Sequence, residues 1–401
     1  MHWSDLASFL KTTAEQLHIP AGFCTVTQAH RTLFSCACGA DKDALEKSRG
    51  ASYWIYSATK PICAAAAMQM VEAGIFRLDE PVGRYLPEYA NLRVYDAQKA
   101  SHPVSDPLLI EHLLTMQGGF DYDLRPPAVQ KLLQQKNAAA DTIHIAAAFA
   151  EKPLQFEPGT HFRYSLCLDV LGAVMEAASG IRLGRWMREK LFLPLGMLHT
   201  GFSPNEKAPP LAPQFRQQPD GSIRRTDPEN FCRLTPLYES GGGGLCSTMD
   251  DYVRFADAMA CGGRSREGVK ILSQRSIDLM RQNRLAEPSL ADFRRRYTRP
   301  GYGYGLGVRT SLGDGTAQSR GVFGWDGAAG AHILHAGDVD ARIGQPSTHR
   351  GSFRWSISSR FWIWRSSTTM SLISWMRCSI GRWMNRACFL TDFMDLNPLN
   401  Q

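Results

Sequence analysis

The sequence predicts an α/β (α+β) fold: a sheet assembled from both ends of the chain, with a helical region inserted between them. Three observations predict it. Strand-like segments gather near the two ends, the middle carries mostly helical apolar spacing, and no internal repeat organises the chain. The 401 residues suffice for one large domain or two ordinary ones, and an apolar fraction of 44 % suits a globular protein with a sizeable core.

The elements follow in order. "MHWSDLASFLKTTAEQLHIP" at the start reads as an amphipathic helix. "GFCTVT" (22–27) and "TLFSCAC" (32–38) read as two strands, with "QAHR" turning between them. A helix opened by "SATK" runs to about Glu72 and stops at Gly74. "LDEPVGRYLPEY" (78–89) is punctuated by proline and reads as irregular. Four helical stretches follow: 107–119, 139–151, 166–180 and 184–197, two of them stopped by glycine. "STMDDYVRFADAMACGG" (247–263) is a further helix, with Ser247 as its cap and Asp250 three residues later. "YGYGLGVRT" (302–310) and "GVFGW" (321–325) read as closing strands. The implied division is a discontinuous sheet domain, 1–90 with 240–401, around a mainly helical domain, 91–239, with an atypical tail over 331–401.

Composition excludes several function classes. A formal charge of +7 is modest for this length, and the basic run "DFRRRYTRP" (292–300) lacks the aromatic platform or motif of a nucleic-acid binder. No apolar run approaches the roughly 18 residues of a membrane span, and no basic stretch leads into an apolar one as in a secretory signal. Ten scattered cysteines with no CxxC pair suggest reduced thiols in a cytoplasmic protein and no zinc site. "SGGGGL" (240–245) and "GYGYGLG" (301–307) match neither phosphate-binding pattern, so they read as backbone that bends tightly or approaches something closely. No cofactor is implied, no partner beyond a small-molecule substrate, and oligomeric state is not legible.

The stretch "YSATKPICAAAAMQM" has two readings. Ser57 is either a polar cap on a buried helix or a nucleophile with its base, Lys60, one turn away on the same face. A lysine near a helix N-terminus opposes the dipole, where a structural choice would be Asp or Glu. That opposition pushes the amine toward the neutral form a base needs. Pro61 adds a conflict by biasing Lys60 away from helical geometry. Local conflicts of this kind gather at functional sites.

The rest of the chain favours the chemical reading. S-x-x-K accompanies a central element and a late strand motif in serine β-lactamases and penicillin-binding proteins. Here Tyr164-Ser165-Leu166 and Trp325-Asp326-Gly327 stand in the right order. "IEHLLTMQGGFDYD", "FEPGTHFRYS", "LFLPLGMLHTGF" and "ESGGGGLCSTMDDYVRFADAM" extend the likeness over roughly residues 15 to 330. The chain thus resembles the class C β-lactamase-related superfamily, above all its family VIII carboxylesterases. The resemblance implies an antiparallel sheet flanked by helices, plus a helical domain, with the active site in the cleft between them.

It also implies roles. Ser57 would be the acylated nucleophile, Lys60 its base, and Tyr164 a shared base that protonates the leaving alcohol. The backbone N–H groups of Ser57 and Ala328 would hold the oxyanion. Tyr122, Leu166, Trp325 and Gly327 would border the substrate, and Asp326 would point away from the cleft. Leu166 replaces an amide and Trp325 a lysine of the lactamase pattern, which favours uncharged short-chain esters over anionic antibiotics. The absence of GxSxG disfavours an α/β-hydrolase esterase. Three functions stay open on these grounds: a carboxylesterase, an acyltransferase with the same residues, and a weak β-lactamase or non-catalytic relative. After about Gly330 the likeness fades. Five of the nine tryptophans crowd into residues 331–401 with poor periodicity, so the tail reads as a divergent or out-of-frame ending with irregular last strands.

Overall fold

A computed structural model describes residues 3–136, 139–204, 207–218, 220, 222–226, 229–297, 301–313 and 320–335, together with the backbone of 352–359. Its main feature is one antiparallel sheet of seven strands. From one edge to the other the strands are Arg31–Cys38, Ala21–Gln28, Ser352–Ser359, Ala331–His335, Phe323–Asp326, Arg309–Ser311 and Tyr302–Tyr304. Both ends of the chain therefore build one sheet. Its long-range seam is the pairing of Ala21 with Ser359 through Gln28 with Ser352.

The N-terminal hairpin forms as its sequence predicts, although its turn carries Ala29 and His30, both left-handed at φ 47° and 66°. "YGYGLGVRT" is not one strand. It breaks at Gly305–Val308 into two, because Gly307 (φ 74°) lies where a Cβ would meet Ala64 Cβ at 2.5 Å. The glycines thus let the sheet press directly on the helix Thr59–Glu72. That helix is buried on nearly every side, and Ala64 to Ala67 are fully inaccessible. A helix apolar all round belongs at the centre of a domain, and alanines let its neighbours come close. One neighbour is the helix Cys167–Ser179, closed by left-handed Gly180.

Several expectations need correction. The cap of the helix Met249–Ala260 is Thr248, which accepts from the Asp251 N–H, and not Ser247. Ser247 is instead buried, its hydroxyl on Thr200. The stretch 107–119 is helical only over Ile110–Leu114. The stretch 184–197 is a helix interrupted by one wide π turn, Arg188–Phe192. The stretch 78–89, expected to be irregular, carries two short 3-10 turns, Val82–Arg84 and Pro87–Asn91, the second running two residues past it. The last strands, expected to be irregular, pair in register: Ala331–His335 lies along Ser352–Ser359, Ala331 with Ile357. Residues 336–351 and 360–401 lie outside the described residues. Among the described residues, no helix is long and apolar enough to cross a membrane.

Candidate active site

The strand Ser52–Trp54 delivers the chain to a single 3-10 turn, Tyr56–Ala58, which runs straight into the helix Thr59–Glu72. Tyr56 is left-handed at φ 44°, an uncommon conformation for a bulky residue that costs on the order of 1–3 kcal/mol where it persists. Its hydroxyl is held by Gln214 (2.8 Å) and the Glu229 carbonyl (3.2 Å). The kink turns the next side chain, Ser57, away from a capping position: the helix start has no side-chain cap bond. Pro61 does not push Lys60 out of the helix. It occupies the first turn, where a missing N–H costs nothing.

Ser57 Oγ accepts a hydrogen bond from Tyr164 Oη at 2.6 Å and lies 3.3 Å from Lys60 Nζ. The Tyr122 hydroxyl also reaches the Ser57 hydroxyl. Lys60 is fully buried, and its ammonium donates to the Gly242 carbonyl at 2.6 Å. It stands 4.5 Å from the Tyr164 ring centre and 5.5 Å from that of Tyr122. Burial pulls its pKa down to about 8, against an opposing pull from the Asp169 carboxylate. The lowering expected from the sequence is therefore present, with desolvation as its main cause. Tyr164, expected as a shared base, does not rest in the deprotonated form. Burial pushes its pKa up, against hydrogen bonds with Ser57 and Trp325, so it rests as a neutral phenol.

Trp325 Nε1 donates to Tyr164 Oη at 3.3 Å. Tyr122, Tyr164 and Trp325 form a continuous stack, with ring centres 5.4 Å apart at each step. Asp326, next on the strand, does turn away. Its carboxylate binds Arg309 Nη1 at 2.6 Å and His332 Nδ1, all three buried. Gly327 is required for a reason other than substrate access: a Cβ there would lie 2.2 Å from the Ile55 carbonyl, on the segment that leads to Ser57. The turn is closed by the Gly327 N–H on Ala331 O (2.7 Å) and the Gly330 N–H on Gly327 O (2.9 Å), and the Ala328 N–H takes part in neither bond. Leu166 is a different case. It is 3 % exposed and packs in the main core at the start of the helix Cys167–Ser179.

Sequence reasoning missed the support beneath Lys60. Asp169 is buried and accepts from the hydroxyls of Tyr238 (2.7 Å) and Ser240 (2.5 Å). A Cβ on Gly242 would lie 2.3 Å from its Oδ2, and one on Gly241 2.3 Å from the Leu168 carbonyl. The "SGGGG" stretch is thus bare backbone laid along the helix that carries Asp169, and its middle residue places the Gly242 carbonyl on Lys60. An acid in the first turn of the apolar run "LCLDVLGAVMEA", Asp169, was the available signal.

The family model described as Beta-lactamase matches residues 6–344. The chain belongs to that family. Protein Rv1367c of Mycobacterium tuberculosis is 32 % identical over 300 residues, 70 % of this chain and 73 % of its own length. Esterase EstB of Burkholderia gladioli is 32 % identical over 317 residues, 72 % and 74 % of the two chains. Among solved structures, EstCE1, described as a hydrolase with promiscuous acyltransferase activity, superposes with a TM-score of 0.70 at 24 % identity, covering 89 % of this chain and 93 % of its own. The fold is that of the β-lactamases and penicillin-binding proteins.

Proposed function

We propose that the chain is a serine hydrolase that cleaves short-chain carboxylic esters through an acyl-enzyme on Ser57. The observation that carries this reading is the Ser57 hydroxyl set between a buried, low-pKa lysine and a neutral tyrosine. The similarity to Esterase EstB supports an esterase-type hydrolase. In the first half-reaction, neutral Lys60 takes the Ser57 proton as Oγ attacks the ester carbonyl. The tetrahedral oxyanion is received by the N–H groups of Ser57 and Ala328. Tyr164 passes its proton to the departing alkoxide, and Lys60 resupplies the phenol. Water then attacks the acyl-enzyme by the reverse proton path. Tyr122 and Trp325 wall the acyl side with aromatic surface, and Trp325 stands where a lactamase-type lysine would meet an anionic substrate, which suits uncharged esters.

Acyl transfer to an alcohol in place of water uses the same residues, and EstCE1 is described as combining both activities. Incubation with a p-nitrophenyl ester, followed by intact-mass analysis, tests the reading. Release of p-nitrophenol with a mass increase on Ser57 is expected. No release and no adduct would mean a non-catalytic relative. Added alcohol that diverts the acyl group stoichiometrically would make transfer the main activity.

A further inference from the structure

The turn of the N-terminal hairpin has a histidine where Asn-Gly would suit the geometry. His30 holds φ 66°, a region that histidine tolerates better than most residues. The turn carries its ring to the last turn of the helix Met249–Ala260. There Asp257 Oδ2 lies 2.6 Å from His30 Nδ1, and Asp257 Oδ1 lies 4.0 Å from Cys261 Sγ. One donor atom from each of the three residues lies within 4.8 Å of the other two. Asp257 is buried, while His30 and Cys261 are partly open.

We propose that His30, Asp257 and Cys261 form a binding site for a divalent transition metal of the zinc class, with one position left open. The sequence expectation of no zinc site rested on local spacing, which cannot see ligands that lie more than 220 residues apart in the chain. An imidazole, a carboxylate and a thiolate suit zinc or cobalt and not magnesium or calcium. The charges match: carboxylate and thiolate together offset a divalent ion, and binding releases the thiol proton to solvent. Tetrahedral zinc with bonds of about 2.0–2.3 Å sets its donors farther apart than the 2.6 Å of His30 and Asp257 and nearer than the 4.0 Å of Asp257 and Cys261, so the first pair opens slightly and the second closes. Cys261 sits past the end of the helix, where a side-chain rotation supplies that change. The helix C-terminus also places partial negative charge beside the ion. Three protein ligands leave a fourth position, which opens on a cavity of about 690 Å³. Arg264, Arg266 and Arg281 line the same cavity, so a small anion fits as fourth ligand. The site shares no residue with the Ser57 group.

The test is titration of the chelator-treated full chain with cobalt(II), then zinc. One equivalent of cobalt is expected, with a thiolate charge-transfer band, intense visible bands of four-coordinate geometry, and displacement by zinc at a dissociation constant below about 1 μM. Cys261→Ser should abolish the thiolate band, and Cys261→Ser and His30→Asn should each weaken binding at least about tenfold. Asparagine keeps the left-handed turn, so His30→Asn leaves the hairpin intact. Ester hydrolysis should be unchanged in both. A triple Cys24, Cys36, Cys38→Ser variant should bind as before. No cobalt bound below about 100 μM, a thiolate band that survives Cys261→Ser, or binding lost only in the triple variant would each overturn the site.

Discussion

In the proposed mechanism, Lys60 sets the pH at which Ser57 becomes a nucleophile. Its pKa is about 8 in the fold, so activity should rise with pH through about 8 and fall reversibly below it. A pH profile of kcat/KM on a neutral ester checks this; a profile flat from pH 6 to 9 would remove Lys60 as base. Lys60→Arg should be nearly inactive, because a guanidinium keeps its proton. Ser57→Ala should lower hydrolysis at least about a thousandfold, measured with the same ester, because the covalent route is lost. The lysine also has a stability cost. Its folded pKa lies below the ordinary 10.5, so the native state binds fewer protons than the unfolded chain between pH 8 and 10.5. The penalty is full below pH 8, on the order of 3 kcal/mol, and vanishes as pH rises to 10.5. Lys60→Met should therefore be inactive yet more stable than wild type at pH 7, with the gap closing by pH 10.5 in denaturant unfolding. Cephalosporin turnover should be weak, because Trp325 and Leu166 offer neither cation nor amide; efficient turnover would show another recognition element at work.

At the scale of elements, two glycine-bearing segments hold the site's geometry. Gly242→Ala would drive a Cβ into the Asp169 carboxylate and shift the carbonyl that Lys60 uses. A misplacement of about 1 Å costs on the order of a hundredfold in rate, so kcat should fall by about that factor with the fold retained by circular dichroism. Gly327→Ala meets the Ile55 backbone, which has no flexible end to yield. It should lose about 1–3 kcal/mol of stability as well as activity. Close backbone approach was legible in the sequence at 240–245 and 301–307, glycine runs with no phosphate motif, and both lie that way. The partners were not, because nothing local says that 240–244 lies along the helix at 167–179. The cap of the helix at 249 was misplaced by one residue for a similar reason. Ser247 and Thr248 are equally good caps, and the strand pairing of 52–54 with 246–248 decides which of them leaves the strand last.

For the whole molecule, the sheet is joined at its centre by a strand from the tail. Ser352–Ser359 lies between Ala21–Gln28 and Ala331–His335, so among the described residues the N-terminal hairpin joins the other strands of the sheet only through it. Ending the chain after His335 would leave two long unpaired edges, which promote aggregation. Such a truncation should be insoluble or markedly less stable than the full chain, as size-exclusion chromatography and thermal unfolding would show. A monomeric truncation of unchanged stability would mean that the seam carries little weight.

Taken alone, the sequence determined the family, the mixed fold and the strands at both ends, and it singled out Ser57, Lys60 and Tyr164 as the candidate set. Each rests on a local pattern: periodicity, punctuation by glycine and proline, or a short motif whose spacing is fixed by one helical turn. Tertiary structure alone decided what surrounds them. Only packing desolvates Lys60 and brings Asp169 beneath it, bends Tyr56 so that Ser57 faces two partners instead of capping a helix, and stacks Tyr122, Tyr164 and Trp325 from three distant segments. Only the closing of the sheet brings His30 to Asp257 and Cys261. Burial and long-range contact depend on which segments meet, and neither quantity is written in the spacing of neighbouring residues.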